Sequence, residues 1–421
     1  MGIVVQKFGG TSLADSEKIK NVARAVIKEK ENGNNVITIV SAMGHTTDFL
    51  IKLSEEVSNV PSAREMDMLL STGEQVSASL LAMAIEEMGH PAISLNAWQV
   101  GIETEPEYSN ARIIDIKTER LNKHLEEGKI IIITGFQGIA NGDITTLGRG
   151  GSDTSAVAVA VAVKADRCDI YTDVEGVYTS DPRIVPNALP LKEISDEEMF
   201  ELAHVGANVL HPRSVETARE FEMPMRVRSS FKLDNLGTLI IGVDKMEVTK
   251  PVTGVARDNS QVRVVICDVE DKPGNASKLF NLLASNNLSV DMIIQSYARS
   301  SNNTNDIAFT IASENLNRFR ALEEEIKSIL NLSNIFIDEN ISKISIVGSG
   351  MIDRPGIAAG MFQTLAKAGI NIKMIATSEI KISCLVDQED SAKAVVELCK
   401  HFELDGLEVA EVKGNLPSDV L

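Results

Sequence analysis

Short apolar runs alternate with amphipathic segments from the first residues to about residue 237. Ile3 to Val5 and Val36 to Val40 have the length and apolar content of strands. Between them, apolar residues recur at helical spacing from Ile19 to Ile27, and Gly33 follows where a helix end favours a left-handed residue. This alternation predicts strands joined by crossover helices around a mostly parallel sheet, with helices on both faces.

The same pattern continues through the middle of the chain. Arg64 to Met88 is predicted to form one long helix, and Ile130 to Thr134 a strand in the centre of the sheet. The Ala/Val run from Ala156 to Val163 follows residues that favour a helix N-terminus, so we predict a buried helix there. Ser195 to Glu198 is a capping box that opens a further helix.

The last part of the chain contains an internal repeat. The pattern breaks up between Phe231 and Asn259, which predicts a domain boundary. Beyond it, Asp271-Lys-Pro-Gly-Asn-Ala276 returns as Asp353-Arg-Pro-Gly-Ile-Ala358, an offset of 82 residues that the following apolar positions keep. Each copy suits a small ferredoxin-like βαββαβ sandwich. Two such modules invite a symmetric pair with ligands at the shared edges.

Composition and charge exclude several classes of protein. The chain has 421 residues, which predicts two or three domains, and a formal net charge of −19. This charge repels a phosphate backbone and anionic lipid, so we expect neither nucleic acid nor a membrane as a partner. The four cysteines are widely separated, which argues against a zinc site or a disulfide framework. Without a signal pattern or a window approaching about 18 apolar residues, we expect a cytoplasmic protein.

Two glycine loops carry the candidate chemistry. Lys7-Phe-Gly-Gly10 lies at the end of the first predicted strand, and Gly148-Arg-Gly-Gly-Ser-Asp-Thr154 leads into the predicted buried helix. Both can bring backbone N–H groups close to an anion, and together they suggest a polyphosphate held between them. For the first loop alone, an ordinary Gly-Gly turn with an exposed lysine is an equal alternative.

The loops fit phosphoryl transfer better than dinucleotide or P-loop chemistry. Neither Gly-x-x-x-x-Gly-Lys-Ser/Thr nor Gly-x-Gly-x-x-Gly occurs in the chain, which disfavours a nicotinamide-dependent dehydrogenase. Phosphoryl transfer needs positive charge and positioning, which Lys7 and Arg149 can supply. Asp153 could hold Lys7 in place or help to bind Mg²⁺ through water.

Several motifs together resemble those of the aspartate kinases over nearly the whole chain. They include Lys7-Phe-Gly-Gly-Thr-Ser12, Ser41-Ala-Met-Gly44, Ser71-Thr-Gly-Glu74, Gly135-Phe-Gln-Gly138, Gly148-Arg-Gly-Gly-Ser-Asp-Thr154, Tyr171-Thr-Asp-Val-Glu-Gly-Val-Tyr178, Asp181-Pro-Arg183 and Leu210-His-Pro-Arg213. The resemblance implies an amino-acid-kinase αβα sandwich followed by two ACT modules. It also implies that ATP and L-aspartate give ADP and 4-phospho-L-aspartate, with Mg²⁺ carried by ATP and no metal site of the protein itself.

The resemblance assigns a domain to each region and a role to each motif. The domains would be the catalytic domain over 1–240, a linker with the first regulatory strand over 241–260, and ACT modules over 261–340 and 341–421. Lys7 and Asp153 would be catalytic, and the aspartate site would contain Ser41, Thr47, Glu74, Arg149 and Ser152. The ATP site would contain Lys7, Phe8, Gly9, Gly10, Gly150, Gly151, Thr172, Asp173, Tyr178, Asp181 and Arg183. Without the resemblance, Glu74 would be interpreted as an ordinary helix-surface carboxylate.

The resemblance also implies feedback inhibition by lysine, threonine or both, at the first step toward lysine, threonine and methionine. The candidate effector residues are Asp271, Asn275, Ala276, Met292, Gln295, Asn371, Ile372, Thr377, Ser378 and Glu379. The structural alternative is that Pro-Gly merely starts a helix. We expect a homo-oligomer joined through the ACT modules, and Met246 could start a separate, shorter regulatory chain.

Two departures from the family pattern keep alternatives open. Asn208 stands where the family usually has a lysine near the ATP phosphates, so either ATP binds less tightly or another cation such as Arg183 compensates. His45 is interpreted as a solvated loop histidine rather than a catalytic base. The alternatives are an amino-acid kinase acting on glutamate or acetylglutamate, and an amino-acid sensor whose kinase half has lost activity.

Overall fold

The computed structural model describes residues 2–207, 209–246, 250–296, 303–332, 334–352 and 354–406. Asn208, where the sequence departs from the family pattern, lies outside the described residues. The chain forms two compact units. Unit 1 comprises Met1–Val177 and Pro190–Val248, and unit 2 comprises Tyr178–Leu189 and Thr249–Leu421.

Unit 1 is built around an eight-stranded sheet and a smaller four-stranded sheet. Its strands are β1 (Ile3–Phe8), β2 (Asn35–Val40), β3 (Ala92–Leu95), β4 (Ile102–Thr104), β5 (Ile113–Ile116), β6 (Ile130–Thr134), β7 (Gln137–Ala140), β8 (Asp143–Thr146), β9 (Arg167–Thr172), β10 (Glu193–Ser195), β11 (Met225–Ser229) and β12 (Thr238–Ile241). The large sheet has the order β10-β12-β11-β9-β1-β2-β6-β3, and the small sheet β5-β4-β7-β8. In the large sheet the β11–β12 pair is antiparallel and the other pairs are parallel.

Helices cover both faces of the large sheet. They are α1 (Ser16–Glu31), α2 (Thr46–Val57), α3 (Ala63–Leu70), α4 (Thr72–Glu87), α5 (Ala97–Val100), α6 (Glu119–Glu126), α7 (Gly151–Ala162), α8 (Asp196–His204) and α9 (Pro212–Glu220). Ile130 and Ile132 share one core with apolar residues of α1 and α4. Ile131 and Ile133 alternate to the opposite face and are also fully buried, which explains why β6 is continuously apolar. The predicted αβα sandwich is confirmed.

One helix prediction was wrong in detail. The single helix expected from Arg64 to Met88 is two helices, because Ser71 interrupts the run between α3 and α4. Counted together, Ala63–Glu87 is long and apolar enough to cross a membrane by length and composition, although charged and polar residues interrupt its apolar positions. Half of its most apolar window is buried inside the structure, and α4 packs against α1, β3 and β6 as a core helix does.

Unit 2 contains two similar modules. Its strands are β13 (Gly254–Asp258), β14 (Gln261–Glu270), β15 (Ile293–Gln295), β16 (Thr304–Ala312), β17 (Ile335–Asp338), β18 (Ile341–Val347), β19 (Met374–Thr377) and β20 (Lys381–Asp387). Its helices are α10 (Asn275–Ser285), α11 (Leu316–Leu330), α12 (Ile357–Lys367) and α13 (Ser391–His401). Both α10 and α12 have 11 residues at an offset of 82, and both start after a left-handed glycine, Gly274 or Gly356. The predicted repeat is confirmed in register.

The two modules complete their four-stranded sheets differently. The first has the order β15-β16-β14-β17, with all its strands in one stretch of chain. The second has the order β13-β18-β20-β19, so its outer strand precedes the first module in sequence. The segment Tyr178–Leu189 also belongs to unit 2, where Val185 and Ala188 are buried in the core of the second module.

Candidate active site

Three neighbouring strands of the large sheet end at one edge of unit 1. The strands β1, β2 and β9 are parallel and adjacent, with β1 in the middle. Lys7 lies near the end of β1, Ser41 directly follows β2, and Thr172 closes β9. Ligands of open α/β sheets bind outside the carboxyl ends of the strands, so this edge is the candidate active site.

An ion pair joins the two residues expected to be catalytic. The Nζ atom of Lys7 lies 2.6 Å from Oδ1 of Asp153, and the two side chains are 13% and 12% exposed. Asp153 lies in the first turn of α7, where the helix dipole favours a negative charge. The pair therefore fixes a cation close to the N-terminus of a buried helix.

The two predicted glycine loops are packed too closely for larger residues. A Cβ atom on Gly10 would lie 2.8 Å from the carbonyl oxygen of Ala42. Gly150 has a positive φ of 69°, and a Cβ atom there would overlap the imidazole ring of His211. Both loops thus lie tightly against neighbouring segments and bring their backbone to the same edge of the sheet.

Glu74 is a buried carboxylate and not a surface group. It is 3% exposed, and its Oε1 atom accepts a hydrogen bond of 3.0 Å from the backbone N–H of Ala42. Its Oε2 atom is buried and has no hydrogen-bond partner among the described residues. Burial raises the pKa of Glu74 to about 7. Such an oxygen is suited to receive a cationic group of a ligand.

The other expected aspartate-binding residues have different environments. Arg149 is exposed, and its side chain forms no hydrogen bond or ion pair with the rest of the described chain. Thr47 is half-buried in the first turn of α2, and Ser152 is buried at the start of α7. His45 is almost fully exposed beside Asp48, in agreement with the interpretation of a solvated loop histidine.

The expected nucleotide residues do not all fall in one unit. Thr172 and Asp173 follow β9 in unit 1, where the Thr172 hydroxyl donates to Asp173. Tyr178, Asp181 and Arg183 lie in unit 2. Asp181 and Arg183 form an ion pair of 2.7 Å, and this hydrogen bond lowers the pKa of Asp181.

Phe8 has a structural role. Its ring is fully buried and stacks on the ring of Tyr171 with centroids 4.4 Å apart, and its carbonyl accepts from the N–H of Ser41. The side chain therefore holds β1 against β9, and the adjacent Gly9 and Gly10 provide the backbone at the site edge.

The structure shows defined environments for two residues to which no role was assigned from the sequence. His211 caps the N-terminus of α9 and packs against Gly150, and burial lowers its pKa. Asp67, in α3, is fully buried and accepts four different donors from Ser109 and Thr146. His211 was visible in the Leu-His-Pro-Arg motif, but nothing near Asp67 in the sequence points to its partners. No group of three or more metal-ligating side chains occurs within the described residues.

In unit 2, the expected effector residues lie at edges of the two module sheets. Asp271 and Asn275 flank the turn from β14 into α10, where Asn275 donates to the carbonyl of Glu270. Gln295 is exposed on the outer strand β15, whereas Met292 is buried. The second-module residues surround the outer strand β19 and are exposed or half-buried: Asn371, Ile372, Thr377, Ser378 and Glu379.

Comparisons with known proteins agree with this architecture. Residues 2–229 match the amino acid kinase family, and residues 263–331 and 344–402 each match the ACT domain. An aspartokinase of Bacillus sp. (strain MGA3) is 52% identical over 407 residues, which cover 96% of this chain and 98% of that relative.

Solved structures give the same result. E. coli aspartokinase III in complex with aspartate and ADP has a TM-score of 0.82 at 26% identity, covering 95% of this chain and 100% of that one. The same enzyme with lysine and aspartate, described as the T-state, has a TM-score of 0.73 at 27% identity, covering 95% and 99%. With an amino acid kinase unit, two ACT modules and a near-full-length relative sharing half of its residues, the chain belongs to the aspartokinase family.

Proposed function

We propose that the chain transfers the γ-phosphoryl group of ATP to the side-chain carboxylate of L-aspartate, giving ADP and 4-phospho-L-aspartate. Its family makes it an ATP-dependent kinase, so the proposal concerns the acceptor and the residues that act on it. The observation that carries the proposal is the Lys7–Asp153 ion pair of 2.6 Å at the carboxyl ends of the parallel strands.

In the proposed reaction, a carboxylate oxygen of aspartate attacks the γ-phosphorus while the bond to the β–γ bridging oxygen breaks and ADP leaves with the electron pair. The attacking carboxylate is ionised at neutral pH, so no base is needed. Lys7 stabilises the negative charge that develops between the β- and γ-phosphates, and Asp153 holds its ammonium in position. The N-terminal end of α7 favours the same anion.

The two α-groups of the substrate are recognised by opposite charges. Arg149 binds the α-carboxylate through two parallel N–H donors, a geometry that lysine cannot reproduce. Glu74 binds the α-ammonium through Oε2, the buried oxygen without a partner in the described residues. Ser41, Thr47 and Ser152 line the same pocket. The side-chain carboxylate is then left to face the phosphate.

We propose that the two glycine loops contact the phosphates of ATP. The backbone of Gly9, Gly10, Gly150 and Gly151 lies against the phosphates, and Thr172 and Asp173 follow a neighbouring strand. Tyr178, Asp181 and Arg183 are nucleotide candidates from the family resemblance alone, and they belong to unit 2. Mg²⁺ enters with ATP and shields the phosphate charge. The complex of E. coli aspartokinase III with aspartate and ADP supports this pair of ligands.

The direct test traps the acyl phosphate. We would incubate the protein with ATP, Mg²⁺ and L-aspartate in hydroxylamine and measure aspartyl hydroxamate, with L-glutamate as the matched control substrate. Hydroxamate from aspartate alone supports the proposal. Product from glutamate alone would leave the fold assignment intact and refute the acceptor, and product from neither would favour an amino-acid sensor.

Regulation is proposed at the ACT modules. We infer that lysine, threonine or both bind the candidate residues around α10, β15 and β19 and inhibit the kinase, in a cytoplasmic pathway toward lysine, threonine and methionine. The complex of E. coli aspartokinase III with lysine supports an effector of this class. Adding each amino acid, and both together, to the hydroxamate assay identifies the effector, and unchanged rates under all three conditions refute the proposal.

We also propose a homo-oligomer joined through the ACT modules, together with a shorter chain that starts near Met246. The outer strands β15 and β19 offer edges at which a second copy could extend each module sheet. Native mass spectrometry of the purified protein distinguishes the assemblies. A monomer refutes the oligomer, and full-length polypeptide alone refutes the shorter chain.

A further inference from the structure

Asp67 is a fully buried carboxylate in α3 whose hydrogen-bond partners are neutral. Its Oδ2 atom accepts from the backbone N–H groups of Ser109 and Thr146 at 2.9 and 2.8 Å. Its Oδ1 atom accepts from the hydroxyls of Thr146 and Ser109 at 2.7 and 3.3 Å. Burying a carboxylate costs free energy unless the group is well hydrogen-bonded. The four donors around Asp67 meet this requirement and fix the position of its side chain.

The residues that donate hydrogen bonds to Asp67 adjoin the loop that carries Arg149. Thr146 is the last residue of β8, and Arg149 follows three residues later. The segment that begins at Ser109 supports the intervening loop, because a Cβ atom on Gly148 would lie 3.0 Å from the carbonyl oxygen of Ser109. The side chain of Asp67 therefore fixes the base of the loop that carries Arg149.

A second support holds the other side of this loop. Arg213 donates to the carbonyl of Leu147 at 3.2 Å and to Oδ1 of Asn110 at 2.7 Å. The loop is thus held between a buried carboxylate and a guanidinium, while the side chain of Arg149 itself stays exposed.

The backbone of Asp67 is connected to Glu74 through Ser71 and the start of α4. Its carbonyl accepts from the N–H of Ser71, the residue that precedes α4, and Glu74 lies in the first turn of α4. The carbonyl of Ser71 in turn accepts from Nε2 of Gln137 at 3.0 Å, and Gln137 pairs with Thr146 across β7 and β8. These contacts close a ring through Asp67, Ser71, Gln137 and Thr146.

We infer that Asp67 is a positioning residue that sets the spacing between Arg149 and Glu74, and so between the groups that bind the α-carboxylate and the α-ammonium of the amino acid. The inference rests on the roles proposed above for Arg149 and Glu74. The ring contains no expected nucleotide residue. Gly150, which is proposed to lie against the phosphates, has its own supports, because its carbonyl accepts from the N–H of Thr154 in α7 and its backbone packs against His211. Loosening the ring therefore weakens aspartate binding more than ATP binding. A merely structural role would change stability without separating the two substrates.

The test removes one hydrogen bond of the ring. Thr146→Val deletes the hydroxyl that donates to Asp67 and keeps its backbone N–H, whereas Thr146→Ser keeps both. Thr145→Val is the matched control, because the Thr145 hydroxyl is also buried but bonds to Thr104. We expect Thr146→Val to raise the KM for aspartate about tenfold and to change the KM for ATP less than about twofold.

Thr146→Ser and Thr145→Val are expected to keep both KM values near those of the unmodified chain. An unchanged KM for aspartate in Thr146→Val, an equal rise in both KM values, or the same rise in Thr145→Val overturns the inference. If Thr146→Val does not fold, Ser109→Ala removes the longer hydroxyl bond to Asp67 and gives a smaller shift in the same direction, and no shift there is equally decisive.

Arg149→Lys separates failure of this inference from failure of the proposed function. If Arg149→Lys raises the KM for aspartate and the Thr146 and Ser109 variants do not, only the positioning role is refuted. If Arg149→Lys leaves the KM for aspartate unchanged, the proposed role of Arg149 fails and the inference fails with it.

Discussion

The ammonium of Lys7 and the carboxylate of Asp153 lie 2.6 Å apart, which joins the end of β1 to the first turn of α7. One residue comes from each glycine loop, so the pair holds the two loops at one place. The ion pair therefore couples the positions of the two loops.

We predict that Lys7→Met lowers kcat by about 10²- to 10³-fold, because the variant lacks the cation that faces the transferring phosphoryl group. Asp153→Asn keeps the shape but weakens the hold on Lys7 and has a smaller effect in the same direction. Lys20→Met is the control, because Lys20 forms a surface pair with Glu17. Steady-state kinetics with the hydroxamate assay measures all three, and equal rates in Lys7→Met and Lys20→Met would contradict the assignment.

The protonation of Glu74 predicts a pH dependence of aspartate binding. Its pKa is raised to about 7 by burial, and only the ionised form attracts the α-ammonium. We expect kcat/KM for aspartate to rise with pH up to about 7 and then to level off. Glu74→Gln should have a much lower kcat/KM without this rise. A pH-independent kcat/KM from pH 5.5 to 8 in the unmodified chain would contradict the prediction.

The raised pKa of Glu74 also predicts that the free energy of unfolding falls as pH rises, whereas kcat/KM for aspartate increases. The folded pKa of about 7 lies above the usual value of 4.5, so between these pH values the folded state binds more protons than the unfolded state. The free energy of unfolding therefore falls as pH rises from about 4.5 to about 7, by about 3 kcal/mol from this group alone. Urea denaturation across this range should show the fall in the unmodified chain and a smaller one in Glu74→Gln.

Two glycines with positive φ allow a test of loop packing. Gly150 and Gly142 have φ values of 69° and 87°, but an added Cβ atom would overlap His211 at Gly150 and meet nothing within 4 Å at Gly142. Gly142→Ala should cost about 1–2 kcal/mol of unfolding free energy through backbone strain. Gly150→Ala should cost more and also lower kcat. If urea denaturation shows equal losses of unfolding free energy in Gly150→Ala and Gly142→Ala, the side chain of His211 moves away from the new methyl group without measurable loss of stability.

The sequence was informative where the signal is local. The glycine loops and the capping box at Ser195 depend on neighbouring residues, so they can be recognised from the amino-acid sequence alone. The repeat can be recognised because a short local motif returns 82 residues later. The same applies to the apolar strand Ile130–Thr134, since burial on both faces requires continuous apolar residues.

Long-range relationships could not be predicted in this way. The partners of Asp67 are 42 and 79 residues away in sequence, and an aspartate on an amphipathic helix is ordinarily exposed. Glu74 looked like a surface residue for the same reason. The interruption at Ser71 was missed because the helical apolar pattern continues across it, and only the three-dimensional path of α3 and α4 shows the break.

The segment Tyr178–Leu189 was expected within the catalytic domain but is part of the unit that contains the repeats. Strands on either side of it in sequence, β9 and β10, belong to the large sheet of unit 1, so the local pattern offers no reason to separate it. Its assignment depends on Val185 and Ala188, which pack with distant residues of the second module.

Because Tyr178–Leu189 belongs to unit 2, the rate at which a protease cleaves this segment depends on the stability of the second module. Arg183 presents a largely exposed side chain to trypsin, whereas Val185, two residues later, is buried in the module core. Cleavage after Arg183 requires local opening of that core, so its rate follows the stability of the module. Any ligand that binds and stabilises the second module should therefore slow the cut at Arg183, far along the sequence from the repeats themselves.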